Sequence, residues 1–155
     1  MNQTENIEAQ LREQGFYVST TVGWSMFPML RNRRDRVVVL PVGPERLRKY
    51  DLPLYRRPDG KYILHRIIGV RPGEYIIRGD NTYAKEHVPD SWILGYVSEF
   101  YRGRRHVRTS DRGYRAYAAV WNALYPLRRV FVFAKRAAGA VWRRLRGRRH
   151  RKDGD

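Results

Sequence analysis

Hydrophobic positions recur at helical spacing near both ends of the chain and at strand spacing between them. Ile7 and Leu11 lie four apart and so share one helix face. Thr4 or Asn6 can cap that helix, and Gly15 is a natural stop after Gln14, so the pattern predicts a short N-terminal helix lying on the body. Phe16 to Val22 is β-rich. Arg31 to Arg36 is a charged turn, and the apolar run from Arg36 to Leu40 reads as a buried strand closed by Pro41 to Pro44. Leu52 to Arg56 predicts a strand, Pro58-Asp59-Gly60 a turn, and Lys61 to Val70 a longer strand rich in β-branched residues. After the turn Arg71-Pro72-Gly73-Glu74, Tyr75 to Arg78 returns as the second arm of a hairpin that ends at Gly79-Asp80-Asn81. Ile93 to Tyr101 is the last predicted strand. Short strands divided by Pro and Gly turns favour an antiparallel β body, open or barrel-like. From Tyr114 to Leu145 the period becomes helical, and Pro126 should divide or kink that helix.

Charge sharpens this division. Residues 1–100 carry 15 Lys/Arg and 12 Asp/Glu, a net of +3; residues 101–155 carry 17 and 3, a net of +14. A nearly balanced body, residues 1–112, therefore precedes a basic amphipathic tail, residues 113–155. Such a tail favours polyanions. Trp121, Trp142 and several Tyr and Phe side chains interleave with its Arg residues, which suits an anionic membrane surface. Packing of the tail on the body with a solvated basic face is the competing expectation. Nucleic acid is the less favoured partner, since no recognised reader motif is present. The longest apolar candidate, Ala116 to Leu127, is too short to span a bilayer, and the N-terminus has no signal-peptide pattern.

Cysteine is absent, which excludes disulfides, thiolate metal sites and Cys nucleophiles. Candidate chemistry begins at Ser25, set between flexible Gly23 and rigid Pro28 in Val22-Gly23-Trp24-Ser25-Met26-Phe27-Pro28. A serine becomes a nucleophile only when a base takes its proton and donors hold the developing oxyanion. Of the four histidines, His65 lies in an apolar strand and alternation sets it with Ile63 and Ile67 on one face; it is either such a base or a core histidine bonded to a carbonyl. His87 falls in a polar loop, and His106 and His150 in basic segments. The hairpin returns Asp80 towards the strand of His65, with Glu86 shortly beyond. Asp80-Asn81 also fits ordinary turn capping. Lys61 lies about 13 Å from His65 along an extended strand, too far to replace it. His65, Asp80, Glu86 and His87 show no tight metal-ligand spacing, and no phosphate-binding loop or dinucleotide fingerprint occurs, so no metal and no cofactor are expected.

Taken in order, these segments resemble the signal peptidase I superfamily of serine peptidases, which includes the self-cleaving SOS repressors. Gly23-Trp24-Ser25-Met26-Phe27-Pro28 is similar to its Ser-Met-x-Pro nucleophile box. Asp35-Arg36-Val37-Val38-Val39 resembles the following strand, with Arg34 in place of a Gly. Tyr62 to Val70 resembles the general-base strand, and Ile77-Arg78-Gly79-Asp80-Asn81 the Gly-Asp-Asn box. His65 before Arg66 matches the histidine-base branch typified by endoplasmic-reticulum signal peptidases, where the housekeeping bacterial branch has Lys. The resemblance implies a signal-peptidase-like antiparallel β fold, Ser25 as nucleophile, His65 as base and an acid from Asp80 or Glu86; Glu86 stands where many members of that branch have Asp. It implies a peptide or protein substrate. Signal peptidases of this superfamily usually carry an N-terminal membrane anchor, and SOS repressors carry a DNA-binding domain; the residues ahead of Gly23 match neither. The expectation is therefore a cytoplasmic-facing serine endopeptidase, peripheral on the inner face of the membrane through its tail. The alternatives are a non-catalytic peptide-binding module on the same fold, tethered to membrane by the tail, and, third, a basic nucleic-acid binder.

Overall fold

The structure, a computed structural model, describes residues 3–130. It begins with helix α1, Gln3–Gln14, which ends at Gly15 where the sequence predicts. Leu11 is buried and Ile7 packs against the same cluster, so the predicted face does lie on the body. Among the described residues nine strands follow: β1 Tyr17–Thr20, β2 Arg36–Pro41, β3 Pro53–Arg56, β4 Tyr62–Leu64, β5 Arg66–Arg71, β6 Glu74–Arg78, β7 Glu86–Pro89, β8 Ile93–Arg102 and β9 Arg105–Arg108. The fold is mainly β, a curled antiparallel sheet with a short N-terminal helix.

The larger sheet has the order β1-β2-β8-β3-β4, with β9 also on β8. Ten-residue β8 is its spine: Tyr101 to Gly95 pair with β2, Tyr96 to Ile93 with β3, and Glu99 to Arg102 with β9. Three shorter strands, β5-β6-β7, make a second antiparallel sheet. Two clusters make the core, the second drawing on both sheets through Tyr55 of β3 and Ile67, Tyr75, Ile77 and Val88 of β5, β6 and β7. Leu11, Met26, Leu30, Val39, Leu52 and Phe100 belong to the first cluster. Leu47, Tyr55, Ile67, Tyr75, Ile77 and Val88 make the second. A fully buried aliphatic side chain contributes about 1.5–3 kcal/mol over an exposed one, so these two clusters dominate the fold energetics.

The predicted strand from Lys61 to Val70 is two strands. The chain leaves the large sheet after Leu64 and enters the small one at Arg66, with His65 as the single residue between. Simple alternation fails there, because Arg66 and Ile67 are consecutive and both fully buried. A register shift between Ile67 and Gly69 changes the alternation again. β7 and β9 are strands that the hydrophobic pattern does not announce; His87 lies on β7 rather than in a loop.

Helix α2, Arg112–Ala123, buries Tyr114 and Ala118. The chain divides into two compact units, Met1–Asn122 and Ala123–Asp155. A turn at Leu124 precedes helical residues 125–130, the break expected beside Pro126, whose nitrogen cannot donate to a preceding turn. The rest of the basic tail, residues 131–155 with Trp142 and His150, lies outside the described residues. No helix among the described residues is long and apolar enough to cross a membrane.

Candidate active site

The Ser25 loop is fixed from both sides of the serine. Met26, Met29 and Leu30 bury their side chains in the first core, while Ser25 remains half-buried at the surface of a cleft. Gly23 has φ +99°, a conformation costly for any residue with a Cβ, and its N–H donates to Asn32 Oδ1 at 2.9 Å. The Phe27–Pro28 peptide is cis. Buried Asp35 organises the flanking turn by accepting from the Arg31 amide at 2.7 Å and from the Arg31 guanidinium at 2.8 and 3.1 Å.

The loop after β6 meets the Ser25 loop directly. The Asn81 amide donates to the Ser25 carbonyl at 2.7 Å, and Asn81 Nδ2 donates to the Trp24 carbonyl at 3.2 Å. A Cβ on Gly79 would stand 2.7 Å from the Ser25 carbonyl oxygen and 3.1 Å from His65 Nε2. Only glycine fits, and its missing methyl marks where the Ser25 backbone and the imidazole edge converge. A cleft of about 230 Å³ is lined by Ser25 and His65 together, with β1, β4 and the 21–23 segment around them. Within it the Ser25 hydroxyl and the imidazole make no direct hydrogen bond.

His65 is 8% exposed. Its Nδ1 lies 3.3 Å from Glu86 Oε1 without completing a hydrogen bond, so this buried nitrogen is close to a carboxylate but not satisfied by it. Burial lowers the imidazole pKa below its ordinary value; Glu86 opposes that shift and the Arg57 charge adds to it. Glu86 is held by its other oxygen: Tyr55 Oη donates to Oε2 at 3.0 Å and Arg57 Nε at 2.9 Å, and Arg57 Nη2 lies 2.6 Å away. Partial burial pushes the Glu86 pKa up, but the bonds from Arg57 and Tyr55 outweigh it and the net shift is downward.

Asp80 goes elsewhere. Both its oxygens accept from Arg66, Oδ1 from Nε and Oδ2 from Nη2, each at 2.7 Å. Arg66 Nη1 also donates to Tyr114 Oη at 2.7 Å, and that hydroxyl donates to the Tyr50 carbonyl at 2.8 Å. Burial pushes the Tyr114 hydroxyl up to about 12, so it remains a donor at neutral pH. Trp121 Nε1 donates to the Asp80 carbonyl at 3.1 Å. The structure thus brings Ser25, His65 and Glu86 to one place, with Asp80 beside them in an ion pair whose charge reaches His65 through space. His87 pairs with Glu74, His106 with Glu99 and Lys61 with Asp59, each on the exposed side of its strand or turn.

Four residues of this arrangement escape the reading of the chain. Arg66 left a signal, a charge inside an apolar run, which demands a buried partner. Tyr55 and Arg57 are spaced i, i+2 and so can face one way, but nothing local says that β7 lies opposite. Tyr114 looks like one more apolar position of an amphipathic helix. Among the described residues no three His, Asp or Glu side chains gather as a metal site. No protein-family profile matches this chain, and no curated protein matches it.

Proposed function

We propose that this chain is a serine endopeptidase-like hydrolase, with Ser25 as nucleophile, His65 as general base and Glu86 as the carboxylate behind the imidazole. The observation that carries the reading is the shared cleft of Ser25 and His65 with a carboxylate at Nδ1. With the Nδ1 proton turned towards Glu86, Nε2 is the free base. Ser25 Oγ attacks the peptide carbonyl carbon and its proton passes to Nε2. The tetrahedral oxyanion is met by the Ser25 N–H, which donates to none of the turn carbonyls. The proton then moves to the leaving amine as the C–N bond breaks. Water repeats the sequence on the acyl-enzyme and frees Ser25.

The mainly antiparallel body with its short N-terminal helix agrees with a signal-peptidase-like fold, as do the juxtaposed Ser25 and Gly79-Asp80-Asn81 segments. Both outer strands of the large sheet, β1 and β4, line the cleft. Each pairs on one side only, so an extended peptide substrate would bind by strand addition. Anionic membrane would be met by the basic C-terminal segment, on the cytoplasmic face.

The incomplete Glu86–His65 contact and the absence of a Ser25–His65 hydrogen bond favour a second reading, a peptide-binding module without turnover. Incubation with a pool of unstructured peptides separates the two. Cleavage that disappears in both Ser25→Ala and His65→Ala supports the hydrolase; peptide binding without cleavage, unaltered in both variants, supports the module.

A further inference from the structure

Glutamate is a poor choice for aiming an imidazole unless something restrains it, because its three side-chain torsions leave the carboxylate many positions. Here the restraint comes from a different sheet. Glu86 opens β7 of the small sheet, whereas Tyr55 is on β3 of the large sheet and Arg57 immediately follows it. Both donors address the same oxygen, Oε2, at 2.9–3.0 Å. The second oxygen, Oε1, is thereby left facing His65 Nδ1. Tyr55 is fully buried, and burial with the adjacent Glu86 charge raises its pKa, so its hydroxyl keeps the proton it donates.

We infer that Tyr55 and Arg57 are positioning residues: they clamp one oxygen of Glu86, keep the other beside His65 Nδ1, and thereby bias the tautomer and orientation of the imidazole. The inference rests on the hydrolase reading for its consequence but not for its geometry. Arg57 also has a second effect. Its guanidinium is the cation beside Glu86, and it offsets the carboxylate that would otherwise favour imidazolium. The charged and titratable groups around His65 are Glu86 from β7, Arg57 and Tyr55 from β3 and its end, and Asp80 from the loop after β6. Loss of Arg57 removes that cation and leaves both carboxylates, so the His65 pKa should rise.

The test uses the full chain with two readouts. One is ¹⁵N NMR of the imidazole, with the His65 signals assigned by their loss in His65→Gln. The other is labelling by an alkyl fluorophosphonate, in which the Ser25 Oγ–P bond forms and fluoride leaves. Wild type should show the Nδ1–H tautomer. Arg57→Gln should raise the His65 titration midpoint and mix the tautomers; Tyr55→Phe, which keeps the buried ring, should mix the tautomers. Each should slow labelling, by up to about a hundredfold for a 1 Å misplacement of a catalytic group, and Arg57→Lys should restore part of the midpoint. Unchanged His65 spectra in both Arg57→Gln and Tyr55→Phe overturn the clamp. A wild type that shows these spectra but takes no label overturns the hydrolase reading and leaves the clamp standing.

Discussion

Two carboxylates flank the same histidine region and are treated in opposite ways. At Asp80 the ion pair is closed: the Arg66 and Asp80 side chains are 0% and 1% exposed, both oxygens are taken, and Tyr114 fills a further donor of the guanidinium. At Glu86 the pair is open: Arg57 and Glu86 are 32% and 23% exposed, and one carboxylate oxygen is left towards His65. A closed buried pair is costly to assemble and costlier to break, since removing one partner strands the other charge. An open pair contributes little to stability but leaves a charge that chemistry can use. Motif order alone makes both residues candidates for the acid; their surroundings lock Asp80 onto Arg66 and leave one Glu86 oxygen beside the imidazole.

Stability measurements can break that contrast. Asp80→Ala leaves Arg66 buried and unpaired and should cost about 3–5 kcal/mol in denaturant unfolding. Tyr114→Phe deletes one hydroxyl that both accepts from Arg66 and donates to the Tyr50 carbonyl, and should cost about 1–3 kcal/mol. Glu86→Gln should cost about 1 kcal/mol or less, because the Arg57–Glu86 pair is partly exposed to water and the amide oxygen can still accept from Tyr55. A larger loss there than for Asp80→Ala would reverse the two assignments. The Glu86 increment has a definite sign with pH. Its native pKa is depressed, so the increment is present above the ordinary carboxylate value and lost as pH falls through the native one; the gap between wild type and Glu86→Gln should close in acid.

The smallest effect belongs to His65. Its native pKa lies below the ordinary 6.5, so the unfolded chain binds more protons in the window beneath that value. Stability should fall as pH drops from about 6.5 towards the native value, and His65→Gln should flatten that slope. A slope of opposite sign would mean that Glu86 outweighs burial.

Most of the elements around the site are legible in the chain, because apolar runs bounded by Gly and Pro mark β2, β3, β6 and β8 and because the turn at residues 71–74 closes the β5–β6 hairpin. What was not legible is where local rules give way to tertiary ones. Alternation sets His65 on a face with Ile63 and Ile67, yet it stands at the crossover between two sheets, a position no periodicity encodes. Short β7 and β9 lack an apolar run and owe their strand geometry to partners already in place. The choice between Asp80 and Glu86 depends on Arg66, Tyr55, Arg57 and Tyr114, contributed by β5, the β3 region and α2. Such meetings are fixed by sheet topology rather than by sequence neighbours.

The central claim is that Ser25 is a nucleophile made reactive by His65. Its most direct test is intact mass and peptide mapping after exposure to an alkyl fluorophosphonate at neutral pH, in wild type and in His65→Gln with its fold checked by NMR. The account predicts a single adduct on Ser25 in wild type and its loss or strong slowing in His65→Gln. An adduct on another residue, or equal labelling of Ser25 in both proteins, would contradict it.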